Sequence, residues 1–483
     1  MPKHPVFMRI LAQKAGYIFT HLFFSSTMSN TRLYKAFKKH GIHLEATSYG
    51  WNVFKEESSA SILLPHQFQL EEKAVQQLLN FASVVPGSCT CATPDFHPGT
   101  HAPVGSIVQT PEGYVIPKAI GTDINCGMRT MKTGLNMAQV APHTKRLQDA
   151  MSQFILHGKR NLPLQTQHFK SLYDDQLPDF MELLSGVDAW KAMNVQQRHA
   201  EWSRHVGLSN FQSHSRHAPH LHIHSQHEWI RDPQLATPGG GNHFVEIQVV
   251  DKVLDKTKAW EQQLREGDVV VTLHSGSRDV GFYIGQQWMD AAKQQWPAGV
   301  KHPEHGLYAL EGALAHEYLE AMGTAARYAW FNRFCMDEQL RQIWDQQLGC
   351  PGWSLLVDVP HNVIMPEANG WVHRKGATPA HAGQLGIIPG SMGDFTYVVE
   401  GMGNDQWLQS CSHGAGRSVQ RQQMRAKHLN ETGHWNCLTL NDTRKIEEHP
   451  SAYKPIGPVI EQQEQEGLIQ SIVRLAPLWT FKV

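Results

Sequence analysis

Apolar residues along the chain follow two periodicities, and the alternation between them predicts a mixed α/β protein. Leu70, Ala74, Val75, Leu78, Leu79 and Phe81 recur at helical spacing, so an amphipathic helix is expected over Leu70–Phe81. Short apolar runs bounded by glycine or proline predict strands around Ser106–Val108, Val269–Leu273, Leu355–Val359 and Tyr397–Val399. Glu311–Gln346 is long, lacks proline and is rich in Ala, Leu, Met and aromatic residues; it predicts the principal helix or a helix pair. No short-period repeat is seen.

Composition narrows the class. A chain of 483 residues with 41% hydrophobic content and 14 tryptophans can bury a large core. The net charge of −1 gives no global polyanion signal, so any nucleic-acid footprint must be a local patch. Arg278, Arg374, Lys375, Arg417, Arg421, Arg425 and Lys427 are the candidates, with Arg374 and Arg417 favoured because they sit inside motifs. Seven cysteines do not form a secreted disulfide framework, and Cys89 and Cys91 are too close for routine bridging. A reducing compartment is expected, the cytoplasm being the simplest. Lys3, Arg9 and Lys14 precede Tyr17–Phe24, a poor signal peptide and too short to span a membrane. Residues 1–30 are read as an N-terminal extension of uncertain role, with translation from Met28 an equal alternative. Ser213–His227 holds six histidines at irregular spacing and is read as a polar surface insertion rather than an ordered metal site.

The chemistry gathers in glycine-rich segments. His413 is followed by Gly414, Ala415 and Gly416, where backbone can approach an anion closely. A helix starting near Gly416 would add free N–H groups, and Arg417, Arg421 and Arg425 would share one of its faces. A histidine beside such a cradle can act as a nucleophile towards phosphoryl or nucleotidyl groups. Asp123, Cys126, His243, His274 and His361 are candidate metal ligands, each flanked by glycine, proline or an apolar run. A mixed hard and soft set leaves zinc, manganese, cobalt and iron open, and spacing this wide excludes a zinc finger.

Several motifs occur in order. They are Pro-Asp-Phe-His-Pro-Gly from Pro94, Ile-Pro-Lys-Ala-Ile-Gly-Thr-Asp-Ile-Asn-Cys-Gly-Met from Ile116, Gly-Gly-Gly-Asn-His-Phe from Gly239 and Leu-His-Ser-Gly-Ser-Arg from Leu273. His-Arg-Lys-Gly-Ala-Thr from His373, Ile-Pro-Gly-Ser-Met-Gly from Ile388, Ser-His-Gly-Ala-Gly-Arg from Ser412 and Ser-Ala-Tyr-Lys from Ser451 complete the series. Together they resemble the RtcB family of RNA ligases, which join 3′-phosphate or 2′,3′-cyclic-phosphate ends to 5′-hydroxyl ends. The match covers Thr93–Met128 and most of Gly239–Val483. Little matches between about Asn136 and Leu235.

The resemblance implies an α/β (mixed α+β) fold: one large catalytic domain over 31–483, with central β-sheets flanked by helices and an insertion-like region within 136–235. It implies that His413 takes GMP from GTP. Asp123, Cys126 and His243 would hold one manganese ion, and Cys126, His274 and His361 a second, with the Cys126 thiolate bridging. Asn242, Phe244, Glu246, His361, Asn362, Pro389, Gly390, Ser391, Met392, Thr396, Gly414, Ala415, Gly416, Tyr453 and Lys482 would contact the nucleotide. Asp95 and His97 match an acidic motif whose role stays open. RNA ends and GTP are the implied partners, with no membrane and with room for an activating protein. Two other readings remain: a metal-dependent cyclic phosphodiesterase that cannot seal, and an RNA-end-binding protein with a structural metal.

Overall fold

The computed structural model describes residues 32–100, 102–350, 352–426 and 435–483. The proposed extension over 1–30 and Lys427 lie outside these residues. All four expected strand runs are present, within Val104–Thr110, Asp268–Ser275, Ser354–Pro360 and Thr396–Gly401. Most of their residues are buried, on alternating sides, which is why they read as apolar runs.

Two sheets organise the chain. The larger runs in the order Ser354–Pro360, Gly127–Asn136, Asp268–Ser275, Phe244–Val253, Ile469–Phe481, Thr396–Gly401 and Leu385–Pro389. Its neighbours pair antiparallel, and Cys437–Leu438 adds in parallel to Ile469–Phe481. The smaller sheet runs His43–Thr47, Gly50–Lys55, Ser58–Leu63, Cys89–His97, Val104–Thr110, Gly370–Lys375 and Asn362–Glu367. Consecutive strands Ser354–Pro360 and Asn362–Glu367 belong to different sheets, so the chain crosses between them at the single residue His361.

The early amphipathic helix forms over Glu72–Val84, displaced towards the C-terminus from Leu70–Phe81, with Ala74, Val75, Leu78, Leu79 and Phe81 buried as their spacing requires. The predicted principal helix is one continuous 37-residue element, Gly312–Leu348, about 55 Å long. From Ala321 to Glu338 every residue is buried. A helix covered on all sides needs a partner layer, and residues 136–235 supply it. Leu147, Met151, Phe154, Phe169, Phe180 and Trp190 enter the same core as Phe331 and Phe334. Phe180 meets Phe331 edge-on at 5.1 Å, and Trp190 stacks on Phe334 at 6.1 Å.

The region read as insertion-like thus packs into the main core. In the histidine tract His214, His220, His224 and His227 are exposed as expected, while two positions depart from a surface loop. His222 is buried, stacks on Phe169 at 3.9 Å and bonds both the Tyr173 hydroxyl and the Asp232 carboxylate. His217 reaches Glu320 on the long helix at 2.8 Å. A polar, loop-like composition concealed side chains that fasten the segment down.

Candidate active site

Strand register explains why ligands so far apart in sequence meet. Gly127 pairs with Ser275, Met128 with His274, Phe244 with His274, and Pro360 with Gly127. Cys126, His243, His274 and His361 therefore all sit at one end of four adjacent strands. The Sγ of Cys126 lies 3.2 Å from His243 Nε2 and 3.1 Å from His274 Nε2. His274 Nε2 is 3.1 Å from His361 Nε2, and His243 Nε2 is 3.0 Å from Asp123 Oδ2. Cys126, His274 and His361 form one group of candidate ligand atoms within 4.8 Å of each other, and Asp123, Cys126 and His243 another. Every sequence-predicted metal ligand is brought together, with Cys126 common to both groups.

Charge is disfavoured at Cys126, His274 and His361 and favoured at Asp123. Burial, reinforced by neighbouring imidazoles, holds His274 and His361 well below the usual histidine range. Burial and then the Asp123 carboxylate push the Cys126 thiol well up. Burial alone would raise Asp123, but His243 beside it outweighs that and holds the carboxyl low. A divalent cation inverts this local logic, since it stabilises thiolate and neutral imidazole together.

His413 completes the row. Its ring lies 4.7 Å from that of His361, which lies 4.9 Å from His274, which lies 4.8 Å from His243. Asp95 Oδ2 accepts from His413 Nδ1 at 2.6 Å and from the His413 backbone N–H at 3.2 Å. Thr93 Oγ1 in turn donates to Asp95 Oδ1 at 2.6 Å. The carboxylate thus makes Nδ1 the hydrogen-bonded nitrogen and leaves Nε2 as the other ring atom. Gly416, at φ +74°, is forced by Asp95: a Cβ there would stand 2.3 Å from the Asp95 carbonyl oxygen. His97 lines the same cavity, and burial holds it down to about 3.

A cavity of about 240 Å³ opens beside these groups. Of the predicted nucleotide contacts, Asn242, Phe244, Glu246, His361, Asn362, Pro389 to Met392, Gly414 to Gly416, Tyr453 and Lys482 all line it. Thr396 does not line it. Thr396 is buried one layer behind, accepting from Gln248 Nε2 at 2.8 Å, while the same amide nitrogen donates to Glu246 Oε1 at 2.7 Å. Burial pushes the Glu246 carboxyl up to about 7, against the opposing hydrogen bonds of Thr480 and Gln248 and the charge of Lys482. Lys482 Nζ sits 5.7 Å from the centre of the Phe244 ring and 3.7 Å from Glu448.

The basic residues divide differently from expectation. No helix starts at Gly416; the helix spans only Arg421–Arg425, and Arg417 instead pairs with Tyr453 in an isolated bridge. Arg417 and Arg421 hold Glu448 at 3.2 and 2.9 Å, and Arg425 holds Glu447. Burial would raise Glu448, but Lys482, Arg421 and Arg417 keep its carboxyl low. Arg374 is fully buried, bonded to Glu367 at 3.0 Å and Ser410 at 2.8 Å, so it is not a surface RNA contact. Lys375, Arg417 and Arg421 do line the cavity. Glu448 and Thr480 line it too and were missed; only the excess of arginine around residues 417–425 hinted at an acidic partner.

The model of the family described as tRNA-splicing ligase RtcB matches residues 77–483. The tRNA-splicing ligase RtcB of Pyrobaculum aerophilum is 30% identical over 433 residues, covering 80% of this chain and 86% of the relative. That of Archaeoglobus fulgidus is 28% identical over 92% of this chain and 99% of its own length. The RNA-splicing ligase RtcB of Escherichia coli K12 is 30% identical over 82% and 90%.

Proposed function

The chain belongs to the RtcB family of tRNA-splicing ligases, and we propose that it seals RNA 3′-phosphate or 2′,3′-cyclic-phosphate ends to 5′-hydroxyl ends through a His413–GMP intermediate. The observation that carries this reading is the Asp95–His413 pair, in which the carboxylate takes Nδ1 and leaves Nε2 as the available ring nitrogen of a residue that lines the cavity beside the ligand cluster. In the first step Nε2 attacks the α-phosphorus of GTP; an N–P bond forms and the bond to pyrophosphate breaks. An RNA 3′-phosphate oxygen then displaces the imidazole, which regains its lone pair and leaves the RNA end activated with GMP. The 5′-hydroxyl attacks the 3′-phosphorus, loses its proton, forms the new phosphodiester and releases GMP. A cyclic phosphate must first be hydrolysed to the 3′-monophosphate.

The chain's own groups support each part. Lys375, Lys482 and Arg417 offset charge on the triphosphate, and Gly414 to Gly416 let backbone approach it. The Glu246 carboxylate suits the paired N–H donors on the edge of guanine and rejects adenine, whose ring nitrogen there is an acceptor. One carboxylate, one thiolate and three imidazoles fit two divalent ions, manganese among them, sharing Cys126. Bound there, the ions would supply Lewis-acid neutralisation of phosphate charge. A reducing compartment, the cytoplasm, suits a site built on Cys126, and all seven cysteines are unpaired. No helix among the described residues is long and apolar enough to cross a membrane.

Intact-protein mass after incubation with GTP and Mn²⁺, without RNA, tests the proposal. Wild type should gain one GMP and His413→Ala none. No gain in metal-loaded wild type would remove the ligase mechanism and leave the phosphodiesterase or end-binding readings.

A further inference from the structure

The helix Arg278–Gln294 begins three residues after the ligand strand turns at Ser275, and its apolar exposure is unusual for its place. Phe282 is 61% exposed and Tyr283 48%. Both lie on a turn whose inward face is pressed on the loop that carries Asp123. A Cβ on Gly281 would lie 2.7 Å from the Thr122 carbonyl oxygen, and one on Gly285 would lie 3.1 Å from Thr122 Cα. Phe282 therefore stands, exposed, on the helix turn that packs against the residue preceding Asp123.

That face continues away from the site as a stripe. Phe282, Gln286, Met289 and Lys293 follow at i, i+4, i+7 and i+11, which is one side of a helix. Gln286, Met289 and Lys293 line a groove of about 210 Å³ against the segment that leads into Asp123, and Lys118 lines its other wall. Lys118 donates to the Gly306 carbonyl at 2.8 Å. Asp290, the acidic group in the groove, accepts from Gln286 Nε2 at 3.0 Å. An exposed aromatic ring one helix turn before a groove walled by two lysines has the layout of a single-stranded nucleic-acid track: a base stacks on the ring and the backbone follows the cations.

Resting on the ligase reading above, we propose that Phe282 is a stacking platform for a base near the 5′-hydroxyl end, with the Lys118–Lys293 groove carrying the following phosphates. The polarity comes from the ligand row. His413, which would carry GMP, stands at one end and Asp123 at the other. In-line displacement requires the attacking hydroxyl to arrive opposite the departing GMP, so the strand bearing it enters over the Asp123 end.

The test uses the full chain, with a 3′-phosphate RNA and a 5′-hydroxyl RNA as separate strands, in wild type, Phe282→Ala, Phe282→Trp and Lys293→Ala. Self-guanylylation by GTP is read in parallel by mass, and binding of a labelled 5′-hydroxyl RNA by anisotropy. Phe282→Ala should raise KM for the 5′-hydroxyl strand about tenfold, and Phe282→Trp should restore it to within about threefold. Lys293→Ala should reduce the salt dependence of that KM by about one unit of slope. Guanylylation should be unchanged in all three. If wild type does not guanylylate, the ligase reading fails by itself and anisotropy decides this one: weakening by Phe282→Ala supports the platform. A KM and an RNA affinity within twofold of wild type in Phe282→Ala would overturn it, as would an effect confined to the 3′-phosphate strand.

Discussion

Two buried polar clusters share the same strands and differ in how completely their groups are paired. One joins Arg129, Arg198 and Arg333 to Asp337, Glu338 and Asp358 beneath the site. Arg129 reaches Asp337 at 2.7 Å and Asp358 at 3.0 Å, and Arg333 reaches Asp358 at 2.7 Å. Trp353 Nε1 donates to the remaining oxygen of Asp337 at 2.7 Å. The other is the Asp123, Cys126, His243, His274 and His361 cluster, where nitrogen faces nitrogen and the outer Nδ1 atoms of His243 and His274 have no hydrogen-bond partner. The clusters are coupled: Arg333 donates to the carbonyls of Asn125 and Ser275, next to Cys126 and His274. A saturated network fixes backbone; an unsaturated one leaves coordination capacity for something brought in from outside. Burial and polarity alone do not distinguish structure from function, but the balance of donors and acceptors does.

The largest expected effect breaks the saturated side. Asp337→Asn leaves Arg129 and Arg198 buried with less counter-charge, and should lower unfolding stability by about 3–5 kcal/mol. Urea denaturation with an unchanged slope checks it. A loss below about 1 kcal/mol would mean that the arginine network is not what holds these strands, and the contrast would fail.

Glu246 lies between the two extremes, with good partners and a burial cost that exceeds them. Its carboxyl is raised to about 7 from an ordinary value of 4.5. A raised carboxylate contributes stability that is fully present below the unfolded value and is lost as pH rises through the folded one. Between pH 4.5 and 7 this group should cost wild type about 3 kcal/mol. Glu246→Gln removes that dependence, so the stability difference between the two proteins should shift by this amount across the window. Parallel pH profiles for wild type and variant would show that Glu246 is as well satisfied as Asp337.

What could be read from the sequence follows the same division. The strand Asp268–Ser275 was legible because both its faces are covered, and the candidate ligands stood out because glycine, proline or an apolar run flanks each of them. Region 136–235 was not, because its helices are short and its anchors, such as His222 against Phe169 and Asp232, resemble loop residues until their partners are known. Arg374 carries the same motif signal whether it meets RNA or, as here, Glu367 in the interior. Thr396 neighbours the cavity in sequence pattern, yet strand geometry turns its hydroxyl to Gln248. In each case the side chain's chemistry was readable and its partner, supplied by distant chain, was not.

The smallest expected shift in stability sharpens the contrast most. Cys126 is shared by both ligand groups and is driven towards the neutral thiol by burial and Asp123. Without metal, Cys126→Ser should therefore change stability by less than about 1 kcal/mol, since it removes no charge pair and little volume. With Mn²⁺ at about a hundredfold over its dissociation constant, wild type should gain about 2.7 kcal/mol and the variant far less. Chelation should return wild type to its metal-free value. Thermal unfolding with and without Mn²⁺, alongside bound metal measured by mass spectrometry, reads both effects without any assay of activity. An equal metal-induced gain in Cys126→Ser would show that the thiol is a bystander, and that coordination rests on the imidazoles and Asp123 alone.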